Sequence, residues 1–315
     1  RGALPLYNCA FTNISDFIGD DIHWAMDCLM NGVGVGAEPI PSDSLEVYAP
    51  ESAYEVVQWN TFKDTPYPNS TPIVIEDSRE GWCDSTKILI DAFLVKGAKM
   101  PVFDYSHIRP AGEPIMGFGG IASGPGPLKE LHARIAHYMG LYIKDSAYDS
   151  VMLKADIINA VGVCVVSGNV RRSAEILTGS IDDDVFLDLK NYDVNPHRAD
   201  VGWMSNNSVN LDSPEDFERL GEIAARVVRN GEPGFINRMN FKYGRVNKND
   251  NAKIDYATGI NPCQPSWAKV LTPEGIRTIG QIKIGDKIWS ENKWVEVIKK
   301  WSTGVNNVYA YRTSV

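Results

Sequence analysis

The sequence lacks the features that mark membrane, secreted and nucleic-acid-binding proteins. No apolar run among its 315 residues is long enough to span a bilayer, and the first residues contain no apolar segment typical of a signal peptide. The formal net charge of −9 argues against a broad electrostatic surface for nucleic acid. Small anionic ligands are not excluded, because they need only a few arginines or backbone N–H groups. We therefore expect a cytoplasmic protein that contacts neither a membrane nor nucleic acid directly.

Cysteine is sparse and histidine is scattered. The sequence contains five cysteines, Cys9, Cys28, Cys83, Cys164 and Cys263, and no Cys-x-x-Cys pair. An odd, widely spaced set is typical of a reducing compartment rather than of a disulfide framework. The five histidines show no metal-ligand spacing, so no metal site is predicted. The sequence also lacks an initial methionine, which predicts that it is a fragment of a longer protein.

Strand-like and helix-like segments alternate along the first 240 residues. Apolar runs typical of strands occur at 4–11, 73–75, 100–105, 174–177 and 203–209, and helical spacing occurs at 17–29, 81–95, 128–139 and 151–166. Ser15 or Asp16 is predicted to cap the first of these helices. The alternation predicts an α/β architecture with parallel pairing of strands.

A further helix is predicted to start at Ser213 and to close at Gly231. Ser213 and Pro214 give a cap and a proline at the first helical position, and glycine is the usual residue after a helix end. Its predicted apolar stripe consists of Phe217, Leu220, Ala224, Val227 and Val228.

Two glycine-containing segments are candidates for ligand contact. The run Gly32–Ala37 loosely matches the dinucleotide-binding fingerprint, but a predicted helix precedes it where that motif requires a strand. We predict instead a tight loop in which the backbone approaches another backbone segment or a nucleotide. The second segment contains Gly168, Asn169, Arg171 and Arg172. Its two arginines suit a phosphate or a carboxylate, and a solvated basic turn explains them equally well.

Together and in this order, the segments resemble ribonucleotide reductase, most specifically the monomeric adenosylcobalamin-dependent ribonucleoside-triphosphate reductases of class II. The segments that carry the resemblance are Leu4–Cys9, Gly32–Gly36, Glu76–Trp82, Asp104–Gly112, Gly119–Pro127, Asp156–Ile176, Ser205–Val209, Gly231–Asn237 and Asn261–Cys263. The resemblance covers nearly all of residues 1–262. It implies a ten-stranded α/β barrel, of which these residues form about the first half as one domain.

The resemblance also implies roles for individual residues. Cys263 matches the loop cysteine on which adenosylcobalamin generates a thiyl radical that removes the 3′-hydrogen of the substrate. Cys9 matches one of two cysteines that reduce the ribonucleoside triphosphate, although a buried core cysteine is an equal reading of the residue alone. Asn261 matches the asparagine that binds the ribose. Asp16 and the loop containing Gly168, Asn169, Arg171 and Arg172 fall where the family reads a deoxynucleotide effector, and a thioredoxin-like protein is the implied reductant.

The sequence departs from the family after Cys263. The family continues with Gly-Glu, whereas Pro265 stands here at the position of the catalytic glutamate. The second reducing cysteine is also absent, so the fragment alone is expected to be inactive. Two alternatives remain open: a fragment of the large subunit of a class I ribonucleoside-diphosphate reductase, and a nucleotide-binding module without redox chemistry.

Residues 263–315 resemble instead the N-terminal part of an intein, a self-splicing insert with an all-β Hint fold. Ala268–Gly275 and Lys283–Trp289 carry this resemblance, and their Pro-Glu-Gly and Ile-Gly-Asp turns predict hairpins. In inteins the first thiol attacks the preceding carbonyl, which here assigns protein splicing to Pro262 and Cys263. The later intein motifs are absent, which implies a truncated insert or a split intein with a separate C-terminal half as partner. The alternative is an ordinary β appendage.

Overall fold

The computed structural model describes residues 9–51, 72–115, 121–167, 174–243, 256–262, 269–290 and 293–297. Packing divides the chain into two compact units, which are described separately. The larger unit comprises residues 1–240 and 257–262, and the smaller unit comprises residues 241–256 and 263–315.

The larger unit is built on a parallel β-sheet. Its strands are β1 (Cys9–Ile14), β2 (Gly34–Pro39), β3 (Ile73–Val74), β4 (Phe103–Asp104), β5 (Glu175–Ser180), β6 (Ser205–Leu211) and β7 (Gly234–Asn237). Five of them form one sheet in the order β1-β2-β5-β6-β7, and every neighbouring pair is parallel. Strands β3 and β4 form a separate parallel pair. The predicted α/β class with parallel pairing is confirmed, and closure into a ten-stranded barrel stays a prediction.

Six α-helices accompany the sheet in the described ranges. They are α1 (Ile18–Met30), α2 (Arg79–Leu94), α3 (Gly126–Lys144), α4 (Ser150–Val166), α5 (Asp184–Leu187) and α6 (Leu220–Asn230). Helices α1 and α4 pack on the sheet, α2 packs on α1, and α3 packs on α4. Ser78 and Asp149 cap α2 and α4 by accepting hydrogen bonds from backbone N–H groups. Within the described ranges, no helix is long and apolar enough to cross a membrane.

The two faces of the five-stranded sheet differ in composition, because successive side chains of a strand point to opposite faces. We call one the helix face; it presents Ile14, Val35, Ala37, Leu177 and Val209 to the buried core that α1 and α4 complete. We call the other the Cys9 face; it carries Cys9, Phe11, Gly34, Gly36, Glu38, Ile176, Thr178, Ser208 and Asn210. The Cys9 face is thus richer in glycine and in polar residues than the helix face.

Several local predictions are corrected by the structure. Neither Ser15 nor Asp16 caps α1, whose N-cap is Phe17 without a side-chain hydrogen bond. Residues 34–37 are not a loop but belong to β2, because β2 pairs with β1 on one side and with β5 on the other. Within the run Gly32–Ala37, Gly32 alone has the left-handed conformation expected of a turn, with φ of 80° directly after α1.

Helix α6 also differs from its prediction. A 3₁₀ segment at Glu215–Arg219 precedes it, and Gly231 ends it with φ of 76°, as the glycine predicted. The residue that α6 buries completely is Ile223, whereas Val228 of the predicted stripe is 88% exposed. Five residues turn an α-helix by about 140°, so Val228 lies far from Ile223 around the helix axis.

The smaller unit contains antiparallel hairpins in its described part. Strands β8 (Lys269–Thr272) and β9 (Gly275–Thr278) form one hairpin, and β10 (Lys287–Ser290) and β11 (Lys293–Glu296) form another. Gly275, with φ of 114°, allows the tight turn after Pro273 and Glu274. The hairpin predicted at Pro-Glu-Gly is confirmed. Ile284, Gly285 and Asp286 do not join two paired strands as predicted, because β10 pairs with β11, which follows it. Assignment to the Hint fold stays a prediction.

Candidate functional site

The thiol of Cys9 lies at the first residue of β1. Cys9 is half-buried rather than buried, unlike Cys28, Cys83 and Cys164. It pairs in register with Gly34, and Phe11 pairs with Gly36 two residues farther along the strands. Of the four cysteines in the described ranges, Cys9 is therefore the one on the glycine-rich, polar face of the sheet.

The segment that leads to position 263 lies on the same face. The carbonyl oxygen of Ile260 sits so close to Gly36 that a Cβ on Gly36 would overlap it and would lie 2.9 Å from the Ile260 carbonyl carbon. A Cβ on Gly259 would likewise overlap the ring of Phe11. Asn261 and Pro262 follow directly and are half-buried. Cys263 itself lies outside the described residues.

A cluster of ion-paired side chains lies on this face at the carboxyl ends of the strands. Arg238, which follows β7, donates to the Glu38 carboxylate at 3.0 Å and to both Asp212 oxygens at 2.6 Å. Asn210 donates to the other Glu38 oxygen at 3.1 Å. Burial raises the pKa of Glu38 above its usual value, against the opposing effect of the Arg238 charge. Because two carboxylates already neutralise Arg238, we assign it to holding the strand ends together rather than to anion binding.

The Asp16 carboxylate accepts hydrogen bonds on the side of the sheet where α4 lies, opposite the Cys9 face. The buried Lys154 of α4 donates to its carboxylate at 3.0 Å and to the Ile40 carbonyl at 2.6 Å. Ser42 donates to the second Asp16 oxygen at 2.7 Å. Burial alone would raise the pKa of Asp16, but the hydrogen bonds from Ser42 and Lys154 outweigh it and lower that pKa. The effector prediction for Asp16 stays a prediction. The loop with Gly168, Asn169, Arg171 and Arg172 lies outside the described residues.

A buried polar network ties α4 to the sheet. Arg198 is completely buried and forms an ion pair with Asp156 of α4, and it donates to Asn159 at 3.0 Å and to the Leu189 carbonyl at 2.8 Å. Asn159 donates in turn to Glu175 of β5 at 3.0 Å. Burial raises the pKa of Glu175 to about 8, with the Asn159 hydrogen bond acting in the opposite direction. This network gives partners to Asp156 and Asn159, two buried polar residues of α4.

A cavity of about 160 Å³ lies at the start of α2. Its lining includes Ser78, Arg79, Trp82, Arg109 and Val165. Both arginines are paired, Arg109 with Asp77 at 2.6 Å and Arg79 with Asp27 at 2.8 Å. Within the described ranges, no cluster of three or more histidine, cysteine or acidic side chains could hold a metal ion.

The structure therefore brings Cys9 and the segment ending in Asn261 and Pro262 to one face, and it holds Asp16 on the side of α4. The positions of Phe11, Glu38 and Arg238 at this face were not predicted from the sequence. The sequence did contain one signal for the close approach of residues 257–262 to β2: Gly34 and Gly36 alternate within the strand, and glycine at such positions marks close approach of another backbone segment.

Comparison with known proteins gives consistent matches. The family model for the insertion domain of B12-dependent ribonucleotide reductase matches residues 42–139, which include all of α2 and most of α3. A probable adenosylcobalamin-dependent ribonucleoside-triphosphate reductase of Dictyostelium discoideum is 37% identical over 267 residues, which is 82% of this chain and 34% of that protein. The adenosylcobalamin-dependent ribonucleoside-triphosphate reductase of Euglena gracilis is 38% identical over 265 residues, 83% of this chain and 34% of that protein.

A solved structure is also similar. The crystal structure of a B12-dependent (class II) ribonucleotide reductase superposes with a TM-score of 0.58 and 28% identity, covering 76% of this chain and 38% of that one. The chain thus spans about a third of the length of the curated relatives it matches.

Proposed function

We infer that the chain belongs to the adenosylcobalamin-dependent ribonucleoside-triphosphate reductase family, and we propose that it supplies part of the catalytic domain of such an enzyme. Two relatives that match more than four fifths of the chain support this proposal. In the proposed reaction, hydrogen replaces the 2′-hydroxyl of a ribonucleoside triphosphate, two thiols become a disulfide, and water leaves. The complete reaction belongs to the full-length protein, and residues 1–315 alone are proposed to be inactive.

One observation carries the proposal: the Cys9 thiol shares a sheet face with the segment that ends in Asn261 and Pro262. In the proposed reaction, Cys9 is one of the two thiols that reduce the ribose, and Asn261 hydrogen-bonds a ribose hydroxyl. A nucleotide-binding module without redox chemistry would have no need for a half-buried thiol beside such a segment.

The radical chemistry is proposed for the cysteine that follows Pro262 in the mature enzyme. Downstream sequence would supply this cysteine, because Cys263 itself would leave with the proposed insert. That thiyl radical removes the 3′-hydrogen, and adenosylcobalamin supplies the radical when it is bound. The cavity at the start of α2, at about 160 Å³, does not fit this cofactor, because pockets for drug-sized ligands begin at roughly 300 Å³ and a corrin is larger. We therefore assign no described residue to cofactor binding.

A deoxynucleotide effector and a thioredoxin-like reductant are proposed as further partners. For the effector, the family resemblance points to Asp16 and to Gly168, Asn169, Arg171 and Arg172. The reductant would restore the thiol of Cys9 after each turnover.

Residues 263–315 are proposed to be the N-terminal part of an intein whose first residue is Cys263. Two findings support this. The boundary between the compact units falls between Pro262 and Cys263, although residues 241–256 group with the smaller unit. The described part of 263–315 forms antiparallel hairpins.

The reductase proposal is tested with the full-length mature protein. We expect reduction of ribonucleoside triphosphates when adenosylcobalamin and an external dithiol are added, without a second protein. Activity that needs a second, radical-generating subunit and acts on diphosphates would instead indicate a class I enzyme. Binding of nucleotides without reduction under any of these conditions would support the module without redox chemistry.

The splicing proposal is tested with the full-length precursor. We expect mass spectrometry to detect a product in which the segment ending at Pro262 is joined to downstream sequence, and Cys263→Ala should prevent its formation. A precursor that retains residues 263–315 in its active form would support the ordinary β appendage instead.

A further inference from the structure

Two glycines allow close contact where the segment 257–262 crosses the Cys9 face, one in the sheet and one in the segment. Gly36 of β2 lies under the Ile260 carbonyl group, and Gly259 lies over the ring of Phe11. Phe11 and Gly36 are register partners on adjacent strands. Consecutive residues of the segment, Gly259 and Ile260, therefore cover consecutive strands of the sheet.

Space, and not backbone conformation, is what requires glycine at these two positions. Neither Gly36 nor Gly259 is among the described glycines with positive φ, so alanine could adopt the backbone conformation of each. A methyl group on Gly36 would meet the backbone of Ile260, which cannot rotate away as a side chain could. Carbon atoms pack at about 3.5 Å from other heavy atoms. The segment would therefore have to move away from β2 by on the order of 1 Å.

We propose that Gly36 and Gly259 are positioning residues, which seat the segment carrying Asn261 and Pro262 on β1 and β2. The position of the segment on β1 and β2 is inferred from the geometry, whereas its effect on turnover depends on the proposed function. Asn261 directly follows Ile260, so a shift of Ile260 moves Asn261 relative to Cys9. A misplacement of about 1 Å of a reacting group can lower the rate by roughly 100-fold.

The test compares variants of the full-length mature enzyme. Gly36→Ala and Gly259→Ala should each increase backbone hydrogen exchange in residues 257–262 at least tenfold and lower kcat by about 100-fold. The double variant should be no worse than the more affected single variant, because both substitutions displace the same segment from the sheet.

Two controls separate seating from stability. Val35→Ala removes a buried side chain from the helix face of the same strand, so it should lower Tm and leave exchange at 257–262 unchanged. Gly140→Ala in α3 meets no atom within 4 Å, so it should leave exchange at 257–262 and kcat unchanged and raise Tm slightly, because alanine favours the helix more than glycine does. If Gly36→Ala lowers Tm too far for assay, Gly259→Ala carries the same test.

Unchanged exchange at 257–262 in both glycine variants would overturn the proposal, and so would raised exchange with normal kcat. Fully additive effects in the double variant would also contradict it. If the wild-type enzyme shows no reductase activity, the proposed function fails, whereas the exchange measurements still decide whether the glycines seat the segment.

Discussion

The two faces of the five-stranded sheet belong to the same strands and yet carry different residues. The helix face presents Val35, Ala37 and Leu177 to a closed core, and Glu175 on this face accepts a hydrogen bond from Asn159 in a buried polar network. The Cys9 face carries a half-buried thiol, two glycines of β2 and the segment 257–262. The difference indicates that stability is concentrated on one face and the proposed chemistry on the other.

The largest expected contrast lies between two aspartates that pair with arginine. Asp156→Ala leaves Arg198 completely buried without its partner, which should lower the free energy of unfolding by about 3–5 kcal/mol. Asp212→Ala removes a half-exposed partner of Arg238, which keeps Glu38, and should cost less than about 1 kcal/mol. Urea unfolding measures both changes in the free energy of unfolding, and equal changes would contradict the proposed difference between the faces.

The second expected effect is a pH dependence from Glu175 on the helix face. Burial raises its pKa to about 8 in the folded protein, against the ordinary value of 4.5 for an exposed glutamate side chain. The folded state then binds more protons than the unfolded state between about pH 4.5 and 8, so this group's contribution to stability falls as pH rises through that window.

Glu175→Gln removes the titration while keeping the size of the side chain. We expect the variant to gain stability relative to wild type between pH 5 and pH 8, as measured by urea unfolding at several pH values. A constant difference across that range would mean that Glu175 does not retain its proton on folding.

The smallest effect is expected on the exposed side of α6. Val228→Ser should change the free energy of unfolding by no more than about 0.5 kcal/mol, because Val228 is 88% exposed. Ile223→Ala on the buried side of the same helix should cost about 2–5 kcal/mol. A large loss in Val228→Ser would show that this surface is covered in the full-length protein.

Local signals predicted the helices well and long-range contacts poorly. The apolar spacing of α2 and the long apolar run of α4 predicted their helices, because such patterns act within a few residues. The strand β2 was read as a loop because its glycines have low strand propensity, and its two parallel neighbours override that propensity.

The site shows the same division. The thiol of Cys9 and the segment at Asn261 could be singled out by resemblance to a known family. The contact of Ile260 with Gly36 could not, because it joins residues far apart in sequence. The burial of Arg198 was equally hidden, since arginine is almost never fully buried unless it is paired.

The central claim is that the Cys9 face carries the reducing chemistry, and it is tested most directly by replacing Cys9. In the full-length mature enzyme, Cys9→Ser should abolish turnover with an external dithiol and leave Tm close to that of wild type. Cys28→Ala, which changes a buried thiol of α1, should retain turnover at temperatures where it is folded. Full activity of Cys9→Ser would contradict the account.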